Sequence, residues 1–302
     1  MMMVLAVLIA FAASTFAHGG YGGPDLAHEH PGGLFRGLRG PVGCNAPNLT
    51  AGEPAGMMQN LTSDIQAYIA SPRQRKKPSS AVIYLSDIFG LPLDNNKLLA
   101  DAIAAAGFLV VFPDLFAGDA VPVDAMGTSS FNFTAWRERH PVSAVDDIVT
   151  ATIEAVNSQY GYEDIGAVGY CFGGKYVARF LTEDGGLSAG FAAHPSGLTA
   201  DELEAIAHPM SLAYAGKSSF ALQHTKCKMD AEICEDNDNS NPPEARTLAE
   251  QTFNETGITW QATLYSGTGH GFAVRANTSD PQQLFAQESA YLQAVRWLDS
   301  WI

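Results

Sequence analysis

The chain has 302 residues, enough for one large domain or two small ones with a sizeable buried core. Its formal net charge of -15 argues against nucleic acid or anionic membranes as partners and is compatible with solubility in an acidic exterior. The sequence contains no internal repeat and no linker after residue 45, so we expect one folded domain over residues 44–302.

The first 17 residues are apolar and uncharged, and they end in small residues of the kind a signal peptidase reads. A membrane anchor would need about 20 apolar residues, so we predict a secretory signal and an extracellular protein. Residues 18–43 are rich in Gly, Pro and His, which predicts a flexible lead-in. We interpret His18, His28 and His30 as part of that lead-in and not as metal ligands.

Secretion is also indicated by five Asn-x-Ser/Thr sequons. The predicted glycosylation sites are Asn48, Asn60, Asn132, Asn254 and Asn277. In an oxidising compartment Cys227 and Cys234, close together in a polar stretch, are the natural disulfide pair. Cys44 would then be odd, and it either stays free or takes one of the other two, because sequence does not fix connectivity.

Apolar segments alternate with helical patterns along the rest of the chain. A hairpin is expected between Cys44 and Ala70, followed by a solvated basic turn from Pro72 to Pro78. The predicted strands are Asp64–Ile69, Ala81–Leu85, Phe108–Phe112, the segment from Ile165 to the cysteine at 171, Leu187–Ala193, Met210–Ala215 and Trp260–Tyr265. The predicted helices run from a cap at Asp94 to Gly107, from Val142 to Val156, from near Gly173 to about Leu181, and from a cap at Asp280, with Pro281 first, to the end. This alternation predicts a single α/β domain, a mostly parallel sheet with helices on both faces.

The fourth of these strands runs into a cysteine flanked by glycines two residues before and after, Gly169 and Gly173. This spacing is typical of the nucleophile elbow of α/β-hydrolases, in which glycines let strand and helix backbones approach. Cys171 is therefore the candidate nucleophile. The alternative is an unreactive buried cysteine at the end of a strand.

Two further reactive residues follow predicted strands, and the carboxyl ends of parallel strands meet at one edge of the sheet. His270 lies in a Gly-rich loop after the last strand, where this fold keeps its general base. Asp87 follows Ala81–Leu85. The alternatives are a structural loop histidine and a helix-capping or turn aspartate.

A thiolate nucleophile needs a proton acceptor and donors for the oxyanion. The helix amino end and His270 would favour the Cys171 thiolate. The N–H of Phe172 is the expected first oxyanion donor and that of Ile88 the second. The predicted chemistry is formation of a thioester followed by attack of water, and it requires no cofactor and no metal ion.

Five motifs, in order along the chain, resemble those of the dienelactone hydrolase family in its fungal branch. They are Ser86–Gly90, Pro113–Asp119, Gly169–Lys175, His194–Ser196 and His270–Arg275. The resemblance covers nearly all of residues 44–302 and implies a carboxymethylenebutenolidase-like enzyme that opens small lactones or esters, with Cys171 as nucleophile and His270 as base. It implies that Asp87 is the acid that interacts with the resting nucleophile. It also places Arg275 near the arginine that binds a substrate carboxylate, with a surface salt bridge as the alternative, and Phe116 among the substrate-binding residues.

The chain departs from the family where the acid of the catalytic triad belongs. The family has an aspartate just after the strand matched by Met210–Ala215, and the best match here is Ser218. Either Ser218 accepts the N–H of His270, or a carboxylate reaches in from the longer segment that follows. The candidate carboxylates are Asp230, Glu232 and Asp236.

Two other functions follow from that departure. The weakened triad could serve proton transfer by His270 in the isomerisation or cyclisation of a natural product. Alternatively, the chain could be a non-catalytic homologue that binds a ligand in the retained pocket. The expected partner is a small-molecule lactone or ester, and no obligate protein partner is inferred.

Overall fold

The strands of the sheet form from the apolar segments of the sequence, and most are buried on both faces. The computed structural model describes residues 49–72, 77–125, 131–216 and 240–302, all of which belong to one compact unit, residues 36–302. The strands are β1 (Met57–Asn60), β2 (Gln66–Ala70), β3 (Ala81–Leu85), β4 (Leu109–Pro113), β5 (Ile165–Tyr170), β6 (Ala189–Ala193), β7 (Met210–Ala215) and β8 (Trp260–Tyr265).

These strands form an 8-stranded sheet in the order β1-β2-β4-β3-β5-β6-β7-β8. Strand β2 runs antiparallel to both of its neighbours, and β3 to β8 are parallel to one another. Strand β5, which leads into Cys171, therefore lies inside the parallel part, between β3 and β6. The carboxyl ends of β3, β5, β6, β7 and β8 all open on the same edge.

Helices cover both faces of the sheet. They are α1 (Asp94–Ala105), α2 (Phe133–Arg139), α3 (Val142–Tyr160), α4 (Phe172–Phe180), α5 (Ala200–Glu204), α6 (Pro243–Thr256), α7 (Phe272–Arg275) and α8 (Pro281–Trp301), with a 3-10 turn at Val123–Ala125. Alternate residues of β3 divide between two cores: Val82 and Tyr84 pack with α1, α7 and α8, and Ile83 and Leu85 with α2 to α6. The predicted fold class, an α/β domain with a mostly parallel sheet, is confirmed.

Polar contacts join α8 to its neighbours beneath the sheet. The α8 side chain of Gln293 donates to Ser211 Oγ on β7 at 2.9 Å and accepts from the Tyr265 hydroxyl at 2.8 Å. The Tyr291 hydroxyl donates to the carbonyl of Ala102 on α1 at 3.0 Å. These buried bonds satisfy polar groups that would otherwise be costly to bury, and they fix the last helix against the sheet.

The predicted start of α8 is confirmed, since Asp280 is its N-cap, accepting from Gln282 N at 2.9 Å, and Pro281 is its first residue. The predicted cap of α1 is wrong. Leu93 has the extended backbone of an N-cap, and Asp94 is already helical, with its carboxylate 3.1 Å from Lys97. The predicted end of α1 holds, because Gly107, just beyond it, has φ 123°.

Several strand and helix bounds shift by a few residues from the predicted ones, as is usual for element ends. Strand β2 begins at Gln66, β4 spans Leu109–Pro113, β6 begins at Ala189, and α3 extends to Tyr160. Helix α4 begins at Phe172, directly after the elbow cysteine. Helix α6 was not predicted from the sequence.

Several predicted features lie outside the described residues. They are the signal segment 1–17, the lead-in 18–43, Asn48, Ser218, the acids Asp230, Glu232 and Asp236, and the cysteines Cys44, Cys227 and Cys234. Among the residues that are described, no helix has the length and apolar character needed to cross a bilayer.

Candidate active site

Cys171 sits on a strained turn between β5 and α4. Its backbone has φ 52° and ψ -112°, a conformation that residues with a Cβ rarely adopt. The two flanking glycines are sterically required. A Cβ on Gly173 would lie 2.0 Å from the carbonyl oxygen of Leu85, and one on Gly169 would lie 2.6 Å from that of Gly173. The spacing read from the sequence therefore forms a nucleophile elbow.

The thiol of Cys171 lies in a polar environment although the residue is only 9% exposed. Its sulfur is 3.6 Å from the hydroxyl of Ser196, which in turn is 3.5 Å from Nε2 of His270. Burial by itself raises the pKa of the thiol. The charge and hydrogen bonding of His270, with help from Ser196, outweigh burial and leave the pKa of Cys171 below its ordinary value.

His270 reaches the thiol from the loop between β8 and α7. The turn before it is fixed by the buried hydroxyl of Thr268, which donates to the carbonyl of Tyr265 at 2.6 Å. Gly271, directly after His270, has φ 87° and is the N-cap of α7. The structure thus brings the predicted base to the predicted nucleophile from a distant part of the sequence.

Asp87 is fully buried behind this pair. Its Oδ1 accepts from Asn96 Nδ2 at 2.9 Å and from the backbone N–H of Phe89 at 3.2 Å. Its other oxygen, Oδ2, lies 3.5 Å from Nε of Arg275. Burial raises the pKa of Asp87, and the nearby Arg275 and Asn96 only partly oppose that rise.

The predicted substrate-binding residues occupy different places. The guanidinium of Arg275 lies 4.6 Å above the ring of Phe89, beside Asp87. Phe116 is 1% exposed, and its ring packs against Phe172 and Trp136 at 5.3 and 5.1 Å between centroids. Arg275 therefore belongs to the charged centre, and Phe116 belongs to the aromatic layer that supports Phe172.

The two predicted oxyanion donors belong to the start of α4 and to the turn after β3. Phe172 is the first residue of α4, where N–H groups have no acceptor within the helix. Ile88 lies in the turn after β3, and its carbonyl is held by the N–H of Val121 at 2.9 Å. A bond from Gly173 N to Ser86 O, 3.0 Å long, connects the elbow to that turn.

His194, which the sequence shows only as part of a motif, lies directly beside the predicted base. It is fully buried at φ 39°, and its ring is 5.0 Å from that of His270 in an edge-on arrangement. Within the described part of the chain, neither ring nitrogen of His194 has a hydrogen-bond partner. Burial holds the pKa of His194 well below its ordinary value, so a neutral imidazole faces His270.

Sequence reasoning also gave no role to Asn96 and Ser196. Asn96 appears in the sequence as one more polar residue near the start of a helix, but it is fully buried and hydrogen-bonds Asp87 and the Tyr84 hydroxyl. A sequence signal existed for Ser196, since it follows a strand at the reactive edge of a parallel sheet.

A parallel sheet, a strained cysteine elbow and a histidine after the last strand together define an α/β-hydrolase. The model of the dienelactone hydrolase family matches residues 65–302, and the chain belongs to that family. It is 38% identical over 259 residues to hydrolase pyvD of Aspergillus violaceofuscus, covering 86% of this chain and 96% of that one. It is 35% identical over 260 residues to hydrolase tropI of Talaromyces stipitatus, covering 83% and 92%.

The fold also matches a solved structure. A Klebsiella pneumoniae protein described as a dienelactone hydrolase superposes with a TM-score of 0.61 at 17% identity, covering 81% of this chain and 98% of that chain. At this identity the likeness shows the fold alone. The family and the hydrolase relatives show that the protein is an enzyme, an ester or lactone hydrolase acting on a small molecule.

Proposed function

We propose that this protein is a secreted hydrolase that opens small lactones or esters through a covalent thioester on Cys171. The observation that carries the proposal is the elbow geometry of Cys171, at φ 52° and ψ -112°, with His270 lowering the pKa of its thiol. A cysteine on a strained elbow turn is oriented for attack, and a lowered pKa increases the fraction of thiolate at a given pH.

In the first half of the reaction, the thiolate of Cys171 adds to the carbonyl carbon of the substrate. The N–H groups of Phe172 and Ile88 stabilise the resulting oxyanion. The tetrahedral intermediate collapses by breaking the ester C–O bond, and His270 gives its proton to the leaving alkoxide. With a lactone, alcohol and thioester stay in one molecule, joined to the enzyme at sulfur.

In the second half, His270 is neutral and takes a proton from water as that water attacks the thioester carbonyl. The C–S bond breaks and the product leaves as a carboxylic acid, which releases its remaining proton to solvent and becomes a carboxylate. The thiolate–imidazolium pair is thereby restored. Arg275, beside the buried Asp87 at 3.5 Å, is the residue that we propose binds a carboxylate on the substrate.

Trapping the acyl-enzyme tests this proposal directly. We expect rapid quenching during turnover of a slowly hydrolysed aryl ester to leave the acyl group on the peptide that contains Cys171, as identified by mass spectrometry. Prior alkylation of Cys171 is expected to abolish the adduct. Acyl transfer to a different residue, or turnover without any adduct on an unblocked enzyme, would contradict the proposal.

Solvent isotope incorporation separates hydrolysis from the isomerase or cyclase alternative. When turnover is carried out in water labelled with oxygen-18, hydrolysis is expected to place one labelled oxygen atom in the carboxylate of the product. Isomerisation leaves the product equal in mass to the substrate, because no water is consumed.

We also propose that the protein is secreted and glycosylated, with the signal removed after Ala17. The asparagines of the four described sequons, Asn60, Asn132, Asn254 and Asn277, are all exposed, which is compatible with glycan attachment. Protein purified from the medium of an expressing fungal culture is expected to begin at His18 by N-terminal sequencing. Retention inside the cells with Met1 intact would overturn the proposal.

A further inference from the structure

The hydroxyl of Ser196 lies beside both residues that carry the proposed chemistry. Its Oγ is 3.6 Å from the sulfur of Cys171, 3.5 Å from Nε2 of His270 and 3.4 Å from the hydroxyl of Ser240. A hydroxyl has one proton to donate and two lone pairs to accept with, so it can interact with all three groups at once.

The backbone holds Ser196 in this place. The N–H of Ser196 donates to the carbonyl of Cys171 at 3.0 Å. The N–H of Cys171 donates to the carbonyl of Ala193, the last residue of β6, at 3.1 Å. Two hydrogen bonds therefore tie the turn after β6 directly to the elbow. The position of the hydroxyl relative to the sulfur follows from that pairing.

A second connection fixes the turn from the other side. The side chain of Asn241 is buried and donates to the carbonyl of Pro195 at 2.7 Å. The hydroxyl of the neighbouring residue Ser240 lies 3.4 Å from the hydroxyl of Ser196. The chain just before α6 thus supports the turn that carries Ser196, with both of its contacts aimed at residues next to the nucleophile.

We propose that Ser196 is a positioning residue of the hydrolase, whose hydroxyl donates to the thiolate of Cys171 and accepts from the protonated Nε2 of His270. The proposal rests on the proposed function, since it assumes that Cys171 is the nucleophile. The bridge holds the thiolate and the imidazolium as a pair in the resting enzyme and keeps the histidine proton directed toward the site.

The proton count is conserved through the cycle. When the thiolate becomes a thioester, its negative charge is lost, and His270 has given its own proton to the leaving alkoxide. The hydroxyl of Ser196 keeps its proton and can turn that proton from the sulfur to the lone pair on Nε2. When water is deprotonated and the thiolate returns, the hydroxyl turns back.

The matched pair Ser196→Thr and Ser196→Val tests the role of the hydroxyl, because the two side chains have nearly the same shape and only threonine keeps the O–H. The readout is the rate of alkylation by iodoacetamide against pH, followed on the peptide that contains Cys171. We expect the threonine variant to follow the natural enzyme. In the valine variant the thiol pKa is expected to rise, so alkylation on the acidic side of the profile falls by about fivefold, the factor that one net hydrogen bond supplies.

The alkaline plateau, where all of the thiol is ionised, is expected to be the same in both variants. If Ser196 had only a structural role, the valine substitution would change the plateau rate of alkylation or the fold, and the midpoint of the pH profile would stay the same. Asp87→Asn serves as a control in which the thiol pKa is expected to shift the other way. The charge of Asp87 raises the pKa of the Cys171 thiol, so removing that charge should extend alkylation to lower pH.

The inference is overturned if the valine and threonine variants give superimposable profiles while both are folded by circular dichroism. That result would leave the nucleophile assignment intact, because the assignment depends on the acyl adduct at Cys171. Loss of the adduct would instead remove the proposed function.

Discussion

Replacement of Cys171 by alanine is expected to lower kcat/KM for ester and lactone substrates by about four to six orders of magnitude, the cost of removing a nucleophile from a triad enzyme. The reason is geometric as well as chemical. The sulfur stands on a turn held at φ 52° and ψ -112°, directly before the amino end of α4, and alanine leaves no nucleophilic atom at that position. Steady-state hydrolysis of an aryl ester measures the loss.

The substitution should leave the fold intact, because alanine keeps the Cβ and removes only the thiol group. We expect the free energy of unfolding to change by about 1 kcal/mol or less. Ser158→Ala is a suitable control, since its exposed hydroxyl donates to the Glu154 carbonyl of its own helix at 2.7 Å and has no other hydrogen bond to the residues that the structure describes. If the Cys171→Ala enzyme were as active as this control, the thioester mechanism would be wrong.

The elbow could be predicted from sequence because its requirements are local. Two glycines and a strand-forming run within Ile165–Gly173 suffice, and each glycine proves necessary for a steric reason that involves residues close in the chain or in the adjacent strand. The meeting of His270 and Asp87 at one edge of the sheet was also predictable. Each residue follows a strand, and a parallel sheet brings the carboxyl ends of its strands to one edge.

The contacts that tune those residues could not be predicted in the same way. Asn96 is important because α1 packs its polar side chain onto Asp87, and Ser196 because two backbone bonds fix a turn against the elbow. Both contacts depend on how separate elements pack in three dimensions, although Asn96 is only 9 residues from Asp87 and Ser196 is 25 residues from Cys171. The local sequence pattern gives the type of residue at a position, but it does not identify the residue with which that side chain forms a hydrogen bond.

The wrong prediction for the cap of α1 and the missing prediction of helix α6 also have local causes. Aspartate is a preferred capping residue, so the sequence favours Asp94 as the cap of α1, but the N-cap lies one residue earlier, at Leu93. Helix α6 was missed because only Ala249, Thr252 and Phe253 are buried, which leaves a narrow apolar stripe. Its Pro243, at the first helical position, was the available signal.

Gly173→Ala is expected to destabilise the protein by about 3 kcal/mol or more and to remove most of the hydrolase activity. The new Cβ would lie 2.0 Å from the carbonyl oxygen of Leu85 and 2.8 Å from that of Ser86, and both are backbone atoms of a central strand and the turn after it. Relief requires α4 to move away from β3. That movement breaks the 3.0 Å bond from Gly173 N to Ser86 O and displaces the elbow and its oxyanion donors together.

Gly257→Ala separates this steric effect from the general cost of replacing a glycine. Gly257 follows α6 at φ 74°, and a Cβ there would meet nothing within 4 Å, so only the left-handed backbone penalty of about 1 kcal/mol applies. Chemical denaturation and ester turnover of the two variants, measured in parallel, make the comparison. Equal stability losses, or full activity in Gly173→Ala, would mean that the elbow tolerates a side chain at this position and that the close approach of α4 to β3 is not what holds Cys171 in its strained turn.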